Sequence, residues 1–213
     1  MSYHPTSLYA LKWTPQTSVT IPDEKLRIGS TTQAVSIDLW ANISKLTSSY
    51  FVFKSDYMAF GVKNGRLQFA LNTTDCGWRL YKTKAEIDLC RWNHVAFTFS
   101  VASGLARTYV NGQMEDTTKI NGHLNYVENK KDPHTRLGFP LATFTDSMMT
   151  NMRIWDVCLE PEAIHLLYKA DIYGDRGFGT TTGLLAWWKM NSGYDKTLID
   201  ASQNHVEGVC NIF

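Results

Sequence analysis

The sequence has almost no net charge. Lysine and arginine total 21 and aspartate and glutamate total 20, which leaves a formal charge of +1. A balance so close to neutral provides no general attraction to nucleic acid or to anionic membranes. Only 19% of the residues are charged, which is low for a disordered tail or a charged coiled coil. We therefore expect a globular chain without a nucleic-acid partner.

Long hydrophobic runs and recognisable targeting segments are also lacking. No apolar stretch reaches the roughly 20 residues that a helix needs to cross a bilayer. Residues 1–13, MSYHPTSLYALKW, lack the basic start and following apolar stretch of a secretory signal peptide. These absences predict no membrane insertion, and a location in the cytoplasm or secretion by a signal-independent route.

Cysteines are few, and none forms a CxxC pair. They stand at Cys76, Cys90, Cys158 and Cys210, so a zinc site or a thioredoxin-type redox motif has no support. Two interpretations remain open. The four can be free thiols that pack as small apolar side chains, or Cys76 and Cys90 can form a disulfide that closes a short hairpin.

Aromatic residues are what the sequence has in abundance. Seven tryptophans, ten tyrosines and ten phenylalanines make up 13% of 213 residues, and 44% of the chain is hydrophobic. That composition and length suffice for one cored domain, which we predict to span residues 1–213. Aromatic side chains favour strands and also provide flat surfaces on which ligands stack.

The hydrophobic pattern predicts many short strands. Val35, Ile37 and Leu39 alternate with less apolar residues, as in a strand with one buried face. Asn64-Gly65, between two such runs, is typical of a type I′ hairpin turn because both positions adopt positive φ angles. Strands recurring about every 8–12 residues without intervening helices predict an all-β, antiparallel sandwich of two sheets.

One short helix interrupts the strands. Pro161 stands where a first helical turn would begin, and Ile164, Leu167 and Tyr168 fall on one face of it. We expect this helix over about residues 160–169, capping the sandwich rather than forming a layer. Strands within 183–213 are expected to complete the fold.

Several motifs, in the expected order, resemble a laminin-G-like or pentraxin-like domain of the concanavalin A-like jelly-roll group. The pattern Trp-x-His-Val-Ala is followed by Tyr-Val-Asn-Gly, and an Asp-x-Ser-x-Asn turn comes near the end. These residues are Trp92, His94, Val95, Ala96, Tyr109, Val110, Asn111, Gly112, Asp200, Ser202 and Asn204. The resemblance implies a two-sheet jelly roll, but the fold hosts lectins, adhesion modules and glucanases alike.

Most of the motif residues have structural explanations. Trp92 and Trp155 are predicted to anchor the core between the two sheets, and His94 to be a buried, hydrogen-bonded histidine rather than a ligand. Trp187 and Trp188 are neighbours in a strand and should therefore point to opposite faces of the sheet.

The resemblance also admits a glucanase, but the acidic residues of this sequence do not match one. Family 16-type glycoside hydrolases carry carboxylates on one face of a strand as nucleophile and acid/base. Here Glu86 and Asp88 supply two acids, but the third position holds Arg91, or Trp92 in a longer variant. Neither side chain can replace a carboxylate in proton transfer. We therefore predict a protein that is not an enzyme, and keep a family 16-like glucanase as the second alternative.

Calcium is the cofactor that the resemblance suggests, because many relatives hold Ca²⁺ in rim loops. A hard cation prefers carboxylate, amide and carbonyl oxygens. The candidate metal ligands are Asp146, Asp132 and Glu128, all in weakly patterned loop segments.

Loop segments also offer the mixture that sugar sites use: an aromatic face together with amides, carboxylates or hydroxyls. The candidate ligand-binding residues are Trp78, Asp75 and Asn72 in one loop and Tyr126, Asn125 and His123 in another. A third group comprises Tyr50, Asp56 and Tyr57. Trp78 and Tyr126 are the favoured pair.

These features predict a lectin that recognises glycans or glycoconjugates through rim loops. One shallow site binds weakly, so a homo-oligomer is expected to supply avidity. The first alternative is a protein-recognition or oligomerisation module without sugar binding.

Overall fold

The computed structural model describes residues 5, 10–14, 17–45, 48–126, 132–139, 147–173, 181–191 and 196–212 of the 213-residue chain. The first strands are β1 (Leu11–Trp13), β2 (Thr17–Pro22), β3 (Ala34–Asn42), β4 (Ser48–Lys54), β5 (Met58–Lys63), β6 (Arg66–Thr73), β7 (Gly77–Glu86) and β8 (Trp92–Ser100). They are followed by β9 (Leu105–Val110), β10 (Gln113–Lys119), β11 (His134–Phe139), β12 (Ser147–Trp155), helix α1 (Pro161–Tyr173), β13 (Leu184–Trp188), β14 (Thr197–Leu198) and β15 (Gly208–Ile212).

The described strands form two antiparallel sheets. The seven-stranded sheet has the order β1-β12-β3-β8-β9-β10, with β13 also paired to β12. The eight-stranded sheet has the order β14-β15-β2-β11-β4-β5-β6-β7. The predicted all-β sandwich with one helix is therefore confirmed for the described part of the chain.

Two Asn-Gly turns set the register of their hairpins. Asn64 and Gly65 have φ angles of 52° and 78° between β5 and β6. Asn111 and Gly112 have 51° and 75° between β9 and β10. Positive φ at both positions is the type I′ geometry that matches the twist of the paired strands, as the sequence predicted for Asn64-Gly65.

The main core lies between the sheets. Val35, Ile37 and Leu39 of β3 are fully buried in it. Phe97 of the seven-stranded sheet packs on Phe60 and Phe69 of the eight-stranded sheet, with ring centroids 5.7 and 4.7 Å apart. Each such side chain contributes about 1.5–3 kcal/mol by its removal from water. This burial holds the two sheets face to face.

Helix α1 lies against the outer face of the seven-stranded sheet. A second core cluster joins its Ile164 and Leu167 to Tyr109 and Trp155 of the sheet, and the ring of Tyr168 stacks on Trp40 at 5.7 Å. The helix is longer than the predicted 160–169 and covers part of a sheet face instead of only capping the sandwich.

Neither Trp92 nor Trp155, the two tryptophans predicted between the sheets, belongs to the inter-sheet core. Trp155 is buried beneath the helix because it alternates with Ile154, whose side chain occupies the inter-sheet core. Trp92 is only partly buried. Trp188 is buried in the inter-sheet core, whereas Trp187 is partly exposed, as expected for neighbours on opposite faces of β13.

Strands β10 and β11 were not predicted from the sequence. Strand β10 is an edge strand whose residues are mostly exposed on both faces, so it lacks a hydrophobic alternation. Strand β11 has only Leu137 and Phe139 as large apolar residues. Residues 87–90 follow the end of β7 and lead into β8 through a turn.

All four cysteines lie within the described residues and are free thiols. Cys76 and Cys90 are both exposed, and the alternative of a disulfide between them is not realised. Within the described part of the chain, no helix combines the length and apolar composition that a membrane crossing would require.

Candidate functional site

The β6–β7 turn and the segment 121–126 form one rim of the eight-stranded sheet. The amide of Thr74 donates to the carbonyl of His123 at 2.9 Å, and the amide of His123 donates to Thr74 Oγ1 at 3.0 Å. The amide of Asn125 donates to the carbonyl of Asn72 at 3.0 Å. Two candidate segments that are far apart in sequence are thus brought together.

Asp75 and Gly122 are in close contact within this rim. Gly122 has a φ of +90°, and a Cβ atom there would lie 2.8 Å from Asp75 Oδ1. Glycine is needed at this position for both its backbone angle and its lack of a side chain. The exposed Asp75 therefore sits directly beside the segment that carries His123 and Asn125.

Tyr126 packs into the rim. Its ring meets that of Tyr57 edge-on at 4.9 Å, and the ammonium of Lys54 lies 5.1 Å from its centroid. Burial, and secondarily the neighbouring Tyr126, raises the pKa of Tyr57 above its ordinary value. Of the two favoured aromatic residues, Trp78 is the more exposed, at 40%.

Trp78 projects from the outer face of the eight-stranded sheet, opposite Asn72. The two residues are register partners in β6 and β7, and directly opposed residues project to the same face. Asn72 Nδ2 donates to the carbonyl of Asp56 at 2.7 Å, while its buried Oδ1 has no hydrogen-bond partner among the described residues. An exposed aromatic ring and a buried acceptor without a partner among the described residues thus lie side by side.

Trp78 belongs to a group of four aromatic residues that we call the outer aromatic face. Its members are Tyr50, Phe53, Trp78 and Phe139. Phe53 contacts Trp78 edge-on at 6.4 Å and lies 5.6 Å from Tyr50. Phe53 also stacks on Phe139 at 4.6 Å, and the guanidinium of Arg136 lies 5.6 Å from the Phe139 centroid. None of the four aromatic residues belongs to either core cluster.

Phe53, which contacts Trp78, and Phe139 and Arg136 beyond it were not predicted as parts of this face. A β-bulge between Tyr50 and Val52 shifts the register of β4, so simple alternation from Tyr50 does not predict that Phe53 shares its face. Phe139 and Arg136 come from β11, which was not predicted. The aromatic run Tyr50–Phe53 was the signal that could have indicated this face.

A strip of three cross-strand pairs runs along this face from the rim, and we call it the β6–β7 strip. The pairs are Asn72 with Trp78, Ala70 with Leu80 and Gln68 with Lys82. The first pair presents an aromatic ring and an amide, the second presents two apolar side chains, and the third presents an amide and an ammonium group.

The candidate calcium ligands are not assembled by the described residues. Both carboxylate oxygens of Asp132 accept hydrogen bonds from Arg136, at 2.5 and 2.8 Å, and His134 Nδ1 is 4.0 Å away. The guanidinium therefore already neutralises Asp132, the one candidate metal ligand that lies within the described residues. Asp146 and Glu128 lie outside the described residues.

A buried polar cluster lies beneath helix α1. The ligand atoms of Asp38, His94 and Asp171 come within 4.8 Å of one another. Arg153 Nη2 lies 2.6 Å from a carboxylate oxygen of each aspartate, and His94 Nε2 is 2.9 Å from Asp38 Oδ2. Trp40 Nε1 donates to Asp171 at 2.9 Å. An arginine between two carboxylates makes this a buried ion network rather than a metal centre, and the prediction of a buried, hydrogen-bonded His94 is confirmed.

The cluster determines the ionisation of Asp38. Burial alone would raise the pKa of this carboxyl, but the positive charge of Arg153 and hydrogen bonds from His94 and Arg153 outweigh it. The pKa of Asp38 is therefore lowered below its ordinary value. The same aspartates raise the pKa of Arg153 against the effect of burial.

The two acids of the glucanase alternative are separated by the end of a strand. Glu86 is the last residue of β7 and accepts a hydrogen bond from Arg66 Nε at 2.9 Å. Asp88 lies beyond the strand, is highly exposed, and is 4.0 Å from Arg91. Strand alternation therefore does not place the two carboxylates on one face.

Residues 14–165 match the Laminin_G_3 family model, which is described as concanavalin A-like lectin/glucanases superfamily. A search of curated proteins found no significant match.

Solved structures with the same fold include a candidate carbohydrate-binding protein from Bacteroides ovatus. It is 14% identical to this chain, with a TM-score of 0.68 over 99% of this chain and 59% of that one. Botulinum neurotoxin type C, whose cell entry depends on interaction with two ganglioside molecules, is 15% identical with a TM-score of 0.57 over 79% and 44%. The receptor-binding domain of the botulinum neurotoxin C/D mosaic serotype is 14% identical, with a TM-score of 0.58 over 80% of this chain and 45% of that one. The chain thus spans less than two thirds of each of these proteins.

Proposed function

The chain belongs to the Laminin_G_3 family of the concanavalin A-like lectin/glucanases superfamily, and on that premise we propose that it is a non-enzymatic carbohydrate-binding protein. The proposed site is the rim end of the β6–β7 strip together with the outer aromatic face. Glycans or glycoconjugates are the proposed partners.

The pairing of Trp78 with Asn72 carries the proposal. A sugar ring presents an apolar face that stacks on an aromatic side chain, and hydroxyl groups that need acceptors and donors. Trp78 is 40% exposed, and the buried carbonyl oxygen of the Asn72 side chain beside it has no partner among the described residues. Asp75, His123 and Asn125 supply further polar groups at the same rim.

Two relatives give independent support. The Bacteroides ovatus protein is described as a candidate for carbohydrate binding, and the type C neurotoxin interacts with gangliosides, which carry glycans. Because the identities are 14% and 15%, these relatives support the ligand class and not a particular sugar.

The positions of Glu86 and Asp88 support the proposal that the protein is not a glycosidase. Retaining glycosidases hold two carboxyl groups about 5–5.5 Å apart in a groove, and inverting ones hold them farther apart with room for water. Here Glu86 is bound by Arg66 and Asp88 faces solvent beyond the strand. Replacing both acids should leave glycan binding unchanged.

Calcium dependence and oligomerisation remain parts of the proposal. Asp132 is paired with Arg136, so any Ca²⁺ contact would depend on Asp146 and Glu128, outside the described residues. A shallow site on one chain gains avidity when several copies present it together, so a homo-oligomer is expected.

A glycan array tests this function, run once with Ca²⁺ and once with EDTA on protein whose fold is verified by circular dichroism. Selective binding to a few related glycans is expected, and the EDTA arm determines the role of the metal. No binding in either arm would refute the carbohydrate proposal.

A protein-recognition module is the second candidate, favoured by the edge position of β7. This strand ends the eight-stranded sheet and exposes Leu80 as well as Trp78. An exposed apolar edge strand can pair with another chain. This candidate predicts a partner whose binding is not displaced by any sugar.

A further inference from the structure

A cavity of about 350 Å³ lies at the far end of the β6–β7 strip, beside the β5–β6 hairpin. It is of the size that holds small ligands. Its lining residues are Lys63, Asn64, Arg66, Leu67, Gln68, Lys82 and Thr83.

Gln68 and Thr83 are the buried polar residues of this lining, and Thr83 Oγ1 already donates to the carbonyl of Leu67. Gln68 is 1% exposed, and neither its Nε2 nor its Oε1 has a hydrogen-bond partner among the described residues. A buried amide without partners is rare because it loses its hydrogen bonds to water and gains none in return. One amide can donate to a carboxylate or sulfate oxygen and accept from a hydroxyl.

The charges around Gln68 select for an anion. Lys63, Arg66 and Lys82 line the cavity, and its lining contains no acidic residue. Arg66 is shared with Glu86, which lies outside the lining. Lys82 is the register partner of Gln68, so its ammonium group projects from the same face.

We propose that this cavity binds the carboxylate or sulfate group of an acidic sugar residue. The inference rests on the proposed function and deepens it, because the neutral part of the same glycan would contact Trp78. Asn72 stands four positions after Gln68 along β6, a distance of about 13 Å at roughly 3.3 Å per residue. One short oligosaccharide can therefore reach from the rim to the cavity, with Leu80 and Ala70 beneath its middle.

Isothermal titration with matched neutral and acidic sugars tests the proposal. Trigalacturonic acid is compared with its fully methyl-esterified form, which has the same sugar chain without charge. In a second arm, 3′-sulfolactose is compared with lactose. The acidic member of at least one pair is expected to bind about tenfold more tightly, as for a hydrogen bond to a charged group. Which pair shows the preference identifies the carboxylate or the sulfate as the preferred anion.

Two substitutions locate that preference. Lys82→Gln is expected to abolish it while leaving affinity for the neutral member unchanged. Gln68→Met is expected to lower the affinity for the acidic sugar. It should not lower the unfolding midpoint, because an amide without partners contributes no hydrogen bond to the fold. Lys119→Gln is the control, since Lys119 is exposed on β10 of the other sheet and its loss removes the same charge.

The outcomes separate this proposal from the function on which it rests. Equal binding of acidic and neutral sugars, with dependence on Trp78, would overturn the cavity proposal and leave the carbohydrate function in place. A preference for acid that Lys82→Gln and Lys119→Gln reduce equally would overturn it too, since net charge would then explain the effect. No binding of any sugar, on these probes and on the glycan array, would overturn both.

Discussion

Arg153 is the residue on which the buried cluster beneath helix α1 depends. It is the only cation among the described residues that contacts both Asp38 and Asp171, and it lies 2.6 Å from each. Replacing both charged partners of a buried pair by apolar residues can leave the stability unchanged. Removing only one partner is costly, because the other charge stays buried and unpaired. The cluster therefore ties β3, β12 and the helix together through one side chain.

We predict that Arg153→Met lowers the free energy of unfolding by about 3–5 kcal/mol. Urea denaturation followed by tryptophan fluorescence measures the change. Arg66→Met is the matched control, because Arg66 pairs with Glu86 on the exposed surface and should cost less than about 1 kcal/mol. Equal effects of the two substitutions would contradict the role assigned to Arg153.

Asp38 should make the fold sensitive to acid. Its pKa is lowered in the folded protein, so its contribution to stability is complete above the unfolded pKa of about 3.9. As the pH falls from there through the folded pKa, protonation removes that contribution. Stability measured by urea denaturation should therefore fall below about pH 4. The Asp38→Asn variant should be less stable at pH 7, and its free energy of unfolding should decrease less steeply below about pH 4. If the variant loses stability as steeply as the wild type below that pH, Asp38 is not the source of the acid sensitivity.

At the scale of elements, the rim depends on the contact between the β6–β7 turn and the segment 121–126. Gly122 and Gly77 both have positive φ angles, +90° and +62°. A Cβ at Gly122 would meet Asp75, whereas a Cβ at Gly77 meets nothing within 4 Å. The two glycines thus separate the effect of backbone angle from that of close packing.

We predict that Gly77→Ala costs about 1–2 kcal/mol, the penalty of a left-handed backbone for an L-residue. Gly122→Ala should cost more, because Asp75 must also move. Thermal unfolding by circular dichroism gives both values. If the two variants unfold at the same temperature, the segment 121–126 is not held against the turn as described.

The sequence predicted the elements that carry strong local signals. The Asn64-Gly65 turn and the alternation in β3 are local, and both were found. The polar edge strand β10 and the short β11 have weak patterns, because pairing with neighbouring strands rather than their own composition determines them. Helix α1 was expected, but its place on a sheet face depends on Trp40 and Trp155, which are distant in sequence.

The same distinction applies to the candidate site. Asn72, Asp75 and Trp78 are close in sequence and could be proposed together. His123 and Asn125 join them only through hydrogen bonds to Thr74 and Asn72, which are 49 and 53 positions away in the sequence. No local pattern predicts such contacts. Phe53 and Phe139 meet only because β4 and β11 pair.

For the whole molecule, the two outer sheet faces have different roles. Helix α1 covers part of the outer face of the seven-stranded sheet with an apolar cluster and an ion network. The eight-stranded sheet carries Tyr50, Phe53, Trp78 and Phe139 on its outer face, outside both cores. The C-terminal strands are divided between the sheets. Strand β13 pairs with β12 in the seven-stranded sheet, and β15 pairs with β2 in the eight-stranded sheet. The proposed binding surface is therefore the face without the helix.

Trp78 is proposed to stack on a sugar bound at this face, and one titration provides a direct test. The strongest ligand from the glycan array is titrated into the wild-type protein, Trp78→Ala and Met114→Ala. Met114 is a large exposed residue on β10 of the other sheet. Loss of a stacking tryptophan should weaken binding about tenfold or more, while Met114→Ala binds as the wild type does. Equal affinity of all three proteins, or no glycan bound by the folded wild type, would contradict the account.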